Sequence, residues 1–160
     1  MKITDCLDLA QEYADKNSGC KKVAVGSLLQ IKHPDVPRNV NIYGCNRSLP
    51  VNCRDAGCRR IDLYGEDSKD HRLPSDCRSL HSEIDALTQA ARWGYITEGA
   101  TLVITRYPCE ACARAIVNAG VAEVYYGREQ VISQETEQIL RSGKVKVTHV
   151  DTWSYEDTRR

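Results

Sequence analysis

The sequence predicts a single α/β domain in which helices pack around a central sheet. Three observations lead there. From Thr101 onward, apolar runs of strand length alternate with stretches of helical periodicity. The 160 residues suit one domain with one core, residues 1–160. No internal repeat, low-complexity segment or linker divides them.

Taken in order, Ile3, Leu7, Ala10 and Ala14 recur at helical spacing and predict an amphipathic helix over 3–16. Val23, Val25, Leu28, Leu29 and Ile31 mark a strand within 22–31. Two prolines in 33–38 make a turn, and 40–44 forms a second strand, hairpin-paired with the first. From about 45 to 80 the periodicity fades, leaving a cysteine-bearing insert rich in Gly, Asp, Ser, Arg and Pro. So long a loop is uncommon unless it is functional or held by something else. The span 81–93 reads as a helix with Ile84, Leu87, Thr88 and Ala91 on one face and Gly94 as its stop. Then follow a strand at 101–105, a helix at 109–119 ended by Gly120, and a strand at 121–126. A helix at 133–141 ended by Gly143 and a strand at 145–150 complete the alternation. The polar tail from Asp151, carrying Trp153 and Tyr155, is expected to form a short helix or fray.

Composition narrows the function. Lys plus Arg equal Asp plus Glu at 22 each, so the basic excess of a protein gripping a long nucleic acid is missing. A small-molecule partner is favoured over a stable nucleic-acid partner. No apolar run approaches the ~20 residues of a membrane helix, and Asp5 and Asp8 interrupt the start where a signal peptide needs apolar residues. A cytoplasmic location is expected, where thiols stay reduced. Eight cysteines there point to metal binding more than to disulfides.

Two motifs carry the chemistry, each at the start of a helix: His81-Ser82-Glu83 and Pro108-Cys109-Glu110-Ala111-Cys112. Either alone is weak, since a Cys-x-x-Cys also serves as a redox pair or part of a zinc knuckle. Together, His-x-Glu followed by Pro-Cys-x-x-Cys is the established signature of zinc nucleobase deaminases. Zinc favours tetrahedral thiolate and imidazole coordination. His81, Cys109 and Cys112 fill three positions and leave a fourth open, as in a catalytic site. Cysteines three apart lie on one helix face, and the positive end of the helix dipole favours thiolate. Glu83 is the candidate proton shuttle.

On these motifs the chain resembles the deoxycytidylate (dCMP) deaminases of the cytidine deaminase superfamily, from about Asp5 to Val150. Val25-Gly26-Ser27 looks like the family's first-strand Val-Gly-Ala, and Gly44-Cys45-Asn46-Arg47 sits where Gly-Tyr-Asn-Gly is usual. Thr105-Arg106-Tyr107-Pro108 and Ala119-Gly120-Val121 with Val124-Tyr125-Tyr126 add to the likeness. The resemblance implies a three-layer α/β/α fold around a mixed five-stranded sheet. It implies a catalytic Zn2+ on His81, Cys109 and Cys112, Glu83 as proton shuttle, and Asn46 against the substrate sugar or phosphate. It further implies a homo-oligomer, often a hexamer, and regulation by dCTP or dTTP with Mg2+. Ser82 stands where Ala is usual and joins Asn46 among the candidate substrate contacts. Arg47 replaces Gly and is either a phosphate contact or a solvated loop arginine. Tyr107 and Tyr126 are either walls for a flat base or core residues.

Related deaminases with this long insert carry a structural zinc at corresponding positions. The expectation for this chain is a closed four-thiolate site of Cys20, Cys53, Cys58 and Cys77, with His71 as a substitute ligand. Buried free thiols are the alternative. Cys6 and Cys45 are expected in the core or a pocket wall, and His33 and His149 to be exposed or structural.

Three functions compete. The first is hydrolytic deamination of dCMP to dUMP. The second is the same chemistry on another cytosine nucleotide, a tRNA adenosine, guanine or a pyrimidine intermediate of cofactor synthesis. The third is a catalytically silent nucleotide-binding module. Retention of Glu83 argues against the third, because a binder needs no proton shuttle.

Overall fold

A computed structural model of the chain describes residues 1–32, 34, 38–48, 53–65, 77–129 and 133–155. The main sheet is built from β1 (Gly26–Ile31), β2 (Val40–Cys45), β5 (Thr101–Arg106), β6 (Glu123–Arg128) and β7 (Lys146–His149), in the order β2-β1-β5-β6-β7. β1 runs antiparallel to both β2 and β5, whereas β5, β6 and β7 are parallel. The sheet is therefore mixed and five-stranded, as the resemblance implies.

Alternation along the central strands sorts the two faces. Leu28 and Val103 point to α1 (Ile3–Asn17), where they meet Cys6, Leu7 and Ala10. Leu29, Leu102 and Ile104 point the other way, into the main core beneath α4 (Ser82–Arg92), α5 (Glu110–Asn118) and α6 (Gln134–Ser142). The result is three layers, α/β/α. Helix α1 buries Cys6, Leu7, Ala10, Gln11 and Ala14, a stripe at helical spacing. It lies so close to β1 that a Cβ on Gly26 would sit 1.9 Å from the Ala10 carbonyl oxygen.

Several boundaries move for identifiable reasons. β1 begins at Gly26 rather than near 22 because Asn46 takes the preceding backbone. Its Nδ2 donates to the Val23 carbonyl at 2.8 Å and its Oδ1 accepts the Val25 N–H at 2.9 Å. β6 begins at Glu123 rather than 121 because the Val121 N–H closes the end of α5 on the Ile116 carbonyl.

Within the insert, the described residues form α2 (Cys53–Ala56), α3 (Arg59–Tyr64) and a small ladder of β3 (Arg47–Ser48) with β4 (Ser79–Leu80). β4 leads directly into His81. His33 and His71 lie outside the described residues.

Of the tail, residues 151–155 are neither helical nor frayed, and 156–160 lie outside the described residues. The former run as a strap along α1 and β6. The Trp153 indole N–H donates to Asp8 Oδ1 at 2.8 Å, and the Tyr155 hydroxyl donates to the Asp15 carboxylate. The Arg128 guanidinium lies over both rings, 5.4 Å from Trp153 and 5.1 Å from Tyr155. Among the described residues, no helix is long and apolar enough to cross a membrane.

Candidate active site

The site is made by the beginnings of α4 and α5. His81 is the residue before the first turn of α4, with extended backbone at φ −71°, ψ 153°. Cys109 holds the same position on α5, at φ −81°, ψ 170°. Neither has joined its helix, so each side chain leaves in a direction the spiral would not allow. Cys112 lies in the first turn of α5 and points back toward Cys109.

His81 Nδ1 lies 3.4 Å from the Cys109 sulfur and 3.4 Å from the Cys112 sulfur. The three donor atoms fall within 4.8 Å of one another, and no other such group occurs among the described residues. Zinc–sulfur and zinc–nitrogen bonds of about 2.3 and 2.0–2.1 Å, in a tetrahedron, set an N···S edge of about 3.6 Å. The spacing and the donor chemistry fit a zinc ion.

Protonation follows from the same contacts. The hydrogen bond from Cys112 is the main influence holding the Cys109 thiol down to about 3, with His81 adding to it. That bond, with burial and the nearby Glu83, pushes the Cys112 thiol up. His81 is raised first by its bond to Cys109, while burial and the Arg60 charge oppose. Arg60 belongs to α3, so the insert's charge is felt at His81.

Glu83 is 5% exposed, in the first turn of α4. Burial raises its carboxyl above the ordinary range, and the His81 charge pulls against this. The Ser82 hydroxyl donates to Glu83 Oε2 at 3.0 Å. Ser82 is completely buried, so its hydroxyl meets the carboxylate rather than solvent.

The remaining candidate contacts have the following partners within the chain. Asn46 Oδ1 accepts from the Ser18 hydroxyl at 2.6 Å and from the Val25 N–H, while its Nδ2 holds the Val23 carbonyl. Its amide thus joins the segment before β1 to the end of β2. Arg47 is not a solvated loop arginine. It pairs with Asp85 at 2.7 Å and donates to the Tyr13 hydroxyl at 2.5 Å. Tyr107 and Tyr126 are both buried and meet edge to face at 4.9 Å. Tyr126 also stacks on His149 at 4.7 Å. These rings line a cleft of about 350 Å³ beside Glu137 and Arg141 of α6.

No disulfide links the eight cysteines. Cys53 and Cys58 are buried, and Cys20 and Cys77 half-buried. Cys20 is near enough to Cys58 and Cys77 to feel their charge, and burial raises its thiol. No three of the four sulfurs come within 4.8 Å of one another, so their spacing is wider than that of the His81 trio. Cys6 and Cys45 are core residues, as expected.

Two contributors escaped the sequence reading. Asp85 is a buried carboxylate that accepts the Cys45 N–H as well as Arg47. Ser27, fully buried on β1, donates to the Ser82 carbonyl at 2.7 Å. A serine within an apolar strand and an acid on the inner face of a helix were the available signals.

The MafB19-like deaminase family matches residues 4–156. A deoxycytidylate deaminase of Mycobacterium phage D29 is 42% identical over 121 residues, covering 72% of this chain and 87% of its own length. The chain belongs to the cytidine/deoxycytidylate deaminase superfamily. Other relatives of this chain are longer. ComE operon protein 2 of Bacillus subtilis is 32% identical over 136 residues, which are 84% of this chain and 64% of that protein. The deoxycytidylate deaminase of Saccharomyces cerevisiae is 30% identical over 134 residues, 84% of this chain and 40% of its own. The chain thus spans less than two thirds of these two relatives. Among solved structures, the dCMP deaminase of cyanophage S-TIM5 in complex with dCMP and dUMP superposes with a TM-score of 0.63 at 24% identity. It covers 90% of this chain and 93% of that one, so the two share the deaminase fold.

Proposed function

We propose that this deaminase hydrolyses the exocyclic amino group of dCMP, giving dUMP and ammonia. The reading is carried by the convergence of His81, Cys109 and Cys112 on one point with Glu83 beside it. Relatives named deoxycytidylate deaminase, from phage D29 and yeast, support dCMP as the substrate.

Zinc held by His81, Cys109 and Cys112 supplies, when bound, the Lewis acid that makes hydroxide available at neutral pH. The other steps belong to the protein. Glu83 accepts the proton of the attacking water and passes it to ring N3 as the C4–O bond forms. It then takes the proton of the new C4–OH and delivers it to the amino group, which leaves as ammonia as the C4=O bond forms. Burial suits this exchange, because a carboxyl raised above its ordinary range gives a proton back readily.

The same reading includes a second, structural Zn2+ on Cys20, Cys53, Cys58 and Cys77. The proximity of Cys20 to Cys58 and Cys77 supports it. It also includes a homo-oligomer, hexameric by family resemblance, regulated by dCTP or dTTP with Mg2+. A reducing, cytoplasmic setting, where thiols stay available to a metal, belongs to the same reading.

The test is turnover by purified, zinc-loaded protein on dCMP, dCTP, deoxycytidine and an adenosine-containing RNA hairpin. Ammonia release with dCMP as the preferred substrate supports the proposal. Turnover of the hairpin, or of nothing despite tight nucleotide binding, overturns it. Two zinc ions per chain support the structural site, and one removes it. Light scattering with and without dCTP, dTTP and Mg2+ reads the oligomer.

A further inference from the structure

We infer that Ser27 and Ser82 form a hydroxyl brace that fixes the orientation of the Glu83 carboxylate. The inference rests on the assignment of Glu83 as proton shuttle and adds two positioning residues to it.

Both serines are completely buried, where an unpartnered hydroxyl is costly. Their bonds run in one direction. Ser27 Oγ donates to the Ser82 carbonyl at 2.7 Å, and Ser82 Oγ donates to Glu83 Oε2 at 3.0 Å. Ser27 stands on β1, paired on one side with Gly44 of β2 and on the other with Ile104 of β5. The brace therefore starts from the interior of the sheet, not from a loop. It reaches α4 at the turn that carries Glu83.

The approach is close. A Cβ on Gly44 would lie 2.2 Å from the Ser82 carbonyl oxygen, 2.6 Å from Ser27 Oγ and 2.8 Å from the Ala86 nitrogen. Glycine at this position lets the start of α4 settle on β1 and β2. Alanine in place of either serine would fill nearly the same space and donate nothing.

A glutamate side chain has several rotatable bonds, and fixing them for proton transfer costs entropy unless the surroundings do it in advance. Ser82 engages one carboxylate oxygen, Oε2, while the carboxylate also meets its own backbone N–H and the Cys112 thiol. A hydrogen bond to a carboxylate is among the stronger kinds, enough to hold one orientation.

The test uses zinc-loaded wild type, Ser82→Ala, Ser27→Ala and the double variant. Kinetics on dCMP are expected to show kcat about ten-fold lower for Ser82→Ala, with KM within about two-fold and zinc content unchanged. Ser27→Ala loses less, about three-fold, and the double variant matches Ser82→Ala because Ser27 acts through Ser82. Crystal structures give a readout independent of turnover. Glu83 should occupy one conformer with Oε2 on Ser82 in the wild type and turn or split in Ser82→Ala. An unmoved Glu83 in Ser82→Ala, or a kcat within two-fold of an active wild type, overturns the brace. Wild type inactive on every cytosine nucleotide overturns the proposed function instead, and the conformer comparison still decides the brace.

Discussion

Arg47 Nε lies 2.7 Å from Asp85 Oδ2, joining the start of β3 to the inner face of α4. The same carboxylate oxygen accepts the Cys45 N–H at 3.0 Å, and the guanidinium also lies 5.9 Å over the Tyr13 ring. The Asp85 side chain is 7% exposed and that of Arg47 32%. Nε and Nη2 tie the arginine to the loop, and Nη1 stands as a further donor.

Replacing Arg47 with Ala should therefore act on stability. Asp85 would keep only the Cys45 N–H, at a cost of about 1–3 kcal/mol. Denaturant midpoints measure the loss, and KM for dCMP should change less than about three-fold. A KM rise confined to the phosphorylated substrate would assign Arg47 to phosphate binding.

Glu83→Gln should retain zinc and fold yet lose about 10²–10⁴ in kcat, the usual range for a general acid–base group. Metal content, melting temperature and initial rates on one preparation check all three. A variant near the wild-type rate would remove Glu83 from the mechanism.

Zinc uptake should strengthen as pH rises. Cys112 is pushed up and holds a proton that the ion must displace, whereas Cys109, down to about 3, has none to lose. His81 is raised above 6.5 and adds a second displaced proton in the more acidic range. Protons compete with the ion for the same atoms, so apparent affinity should fall about ten-fold per pH unit for each proton displaced. The steeper fall should lie below the raised His81 value. Chelator competition between about pH 6 and 8 measures the slope, and a flat profile would contradict this assignment.

Gly44→Ala should destabilise the fold by about 1–3 kcal/mol through overpacking, because its Cβ would press on the Ser82 carbonyl oxygen at 2.2 Å. Activity should fall with it, since the start of α4 must shift. An unfolding midpoint equal to wild type would show that this approach is looser than the structure describes.

Helical periodicity in Ile3, Leu7, Ala10 and Ala14 marks α1 to within a residue of its observed end, and His81, Cys109 and Cys112 converge as their spacing implied. Apolar spacing found the buried side of α1 but not that of α4, where Thr88 and Ala91 of the expected face are exposed and Ala86, Leu87 and Ala90 are buried beside the acids of the site. It does not report which polar groups meet across elements. Asn46 finds its partners at Ser18, Val23 and Val25, and Asp85 finds Arg47, through folding alone. Tyr107 and Tyr126 were ambiguous because a strand tyrosine serves a core and a pocket equally well. Their contacts with each other and with His149 show the cleft they line.

The bond between Trp153 and Asp8 spans 145 residues. During synthesis, the flank of the first helix that carries Asp8 therefore waits for about 145 further residues before it acquires this cover. Long-range closure of this kind is slow, and the apolar surface that Trp153 covers stays accessible to other nascent chains in the interval. Loss of Trp153 and Tyr155 would thus be felt first as poor yield and aggregation during production, ahead of any change in the chemistry at the opposite layer.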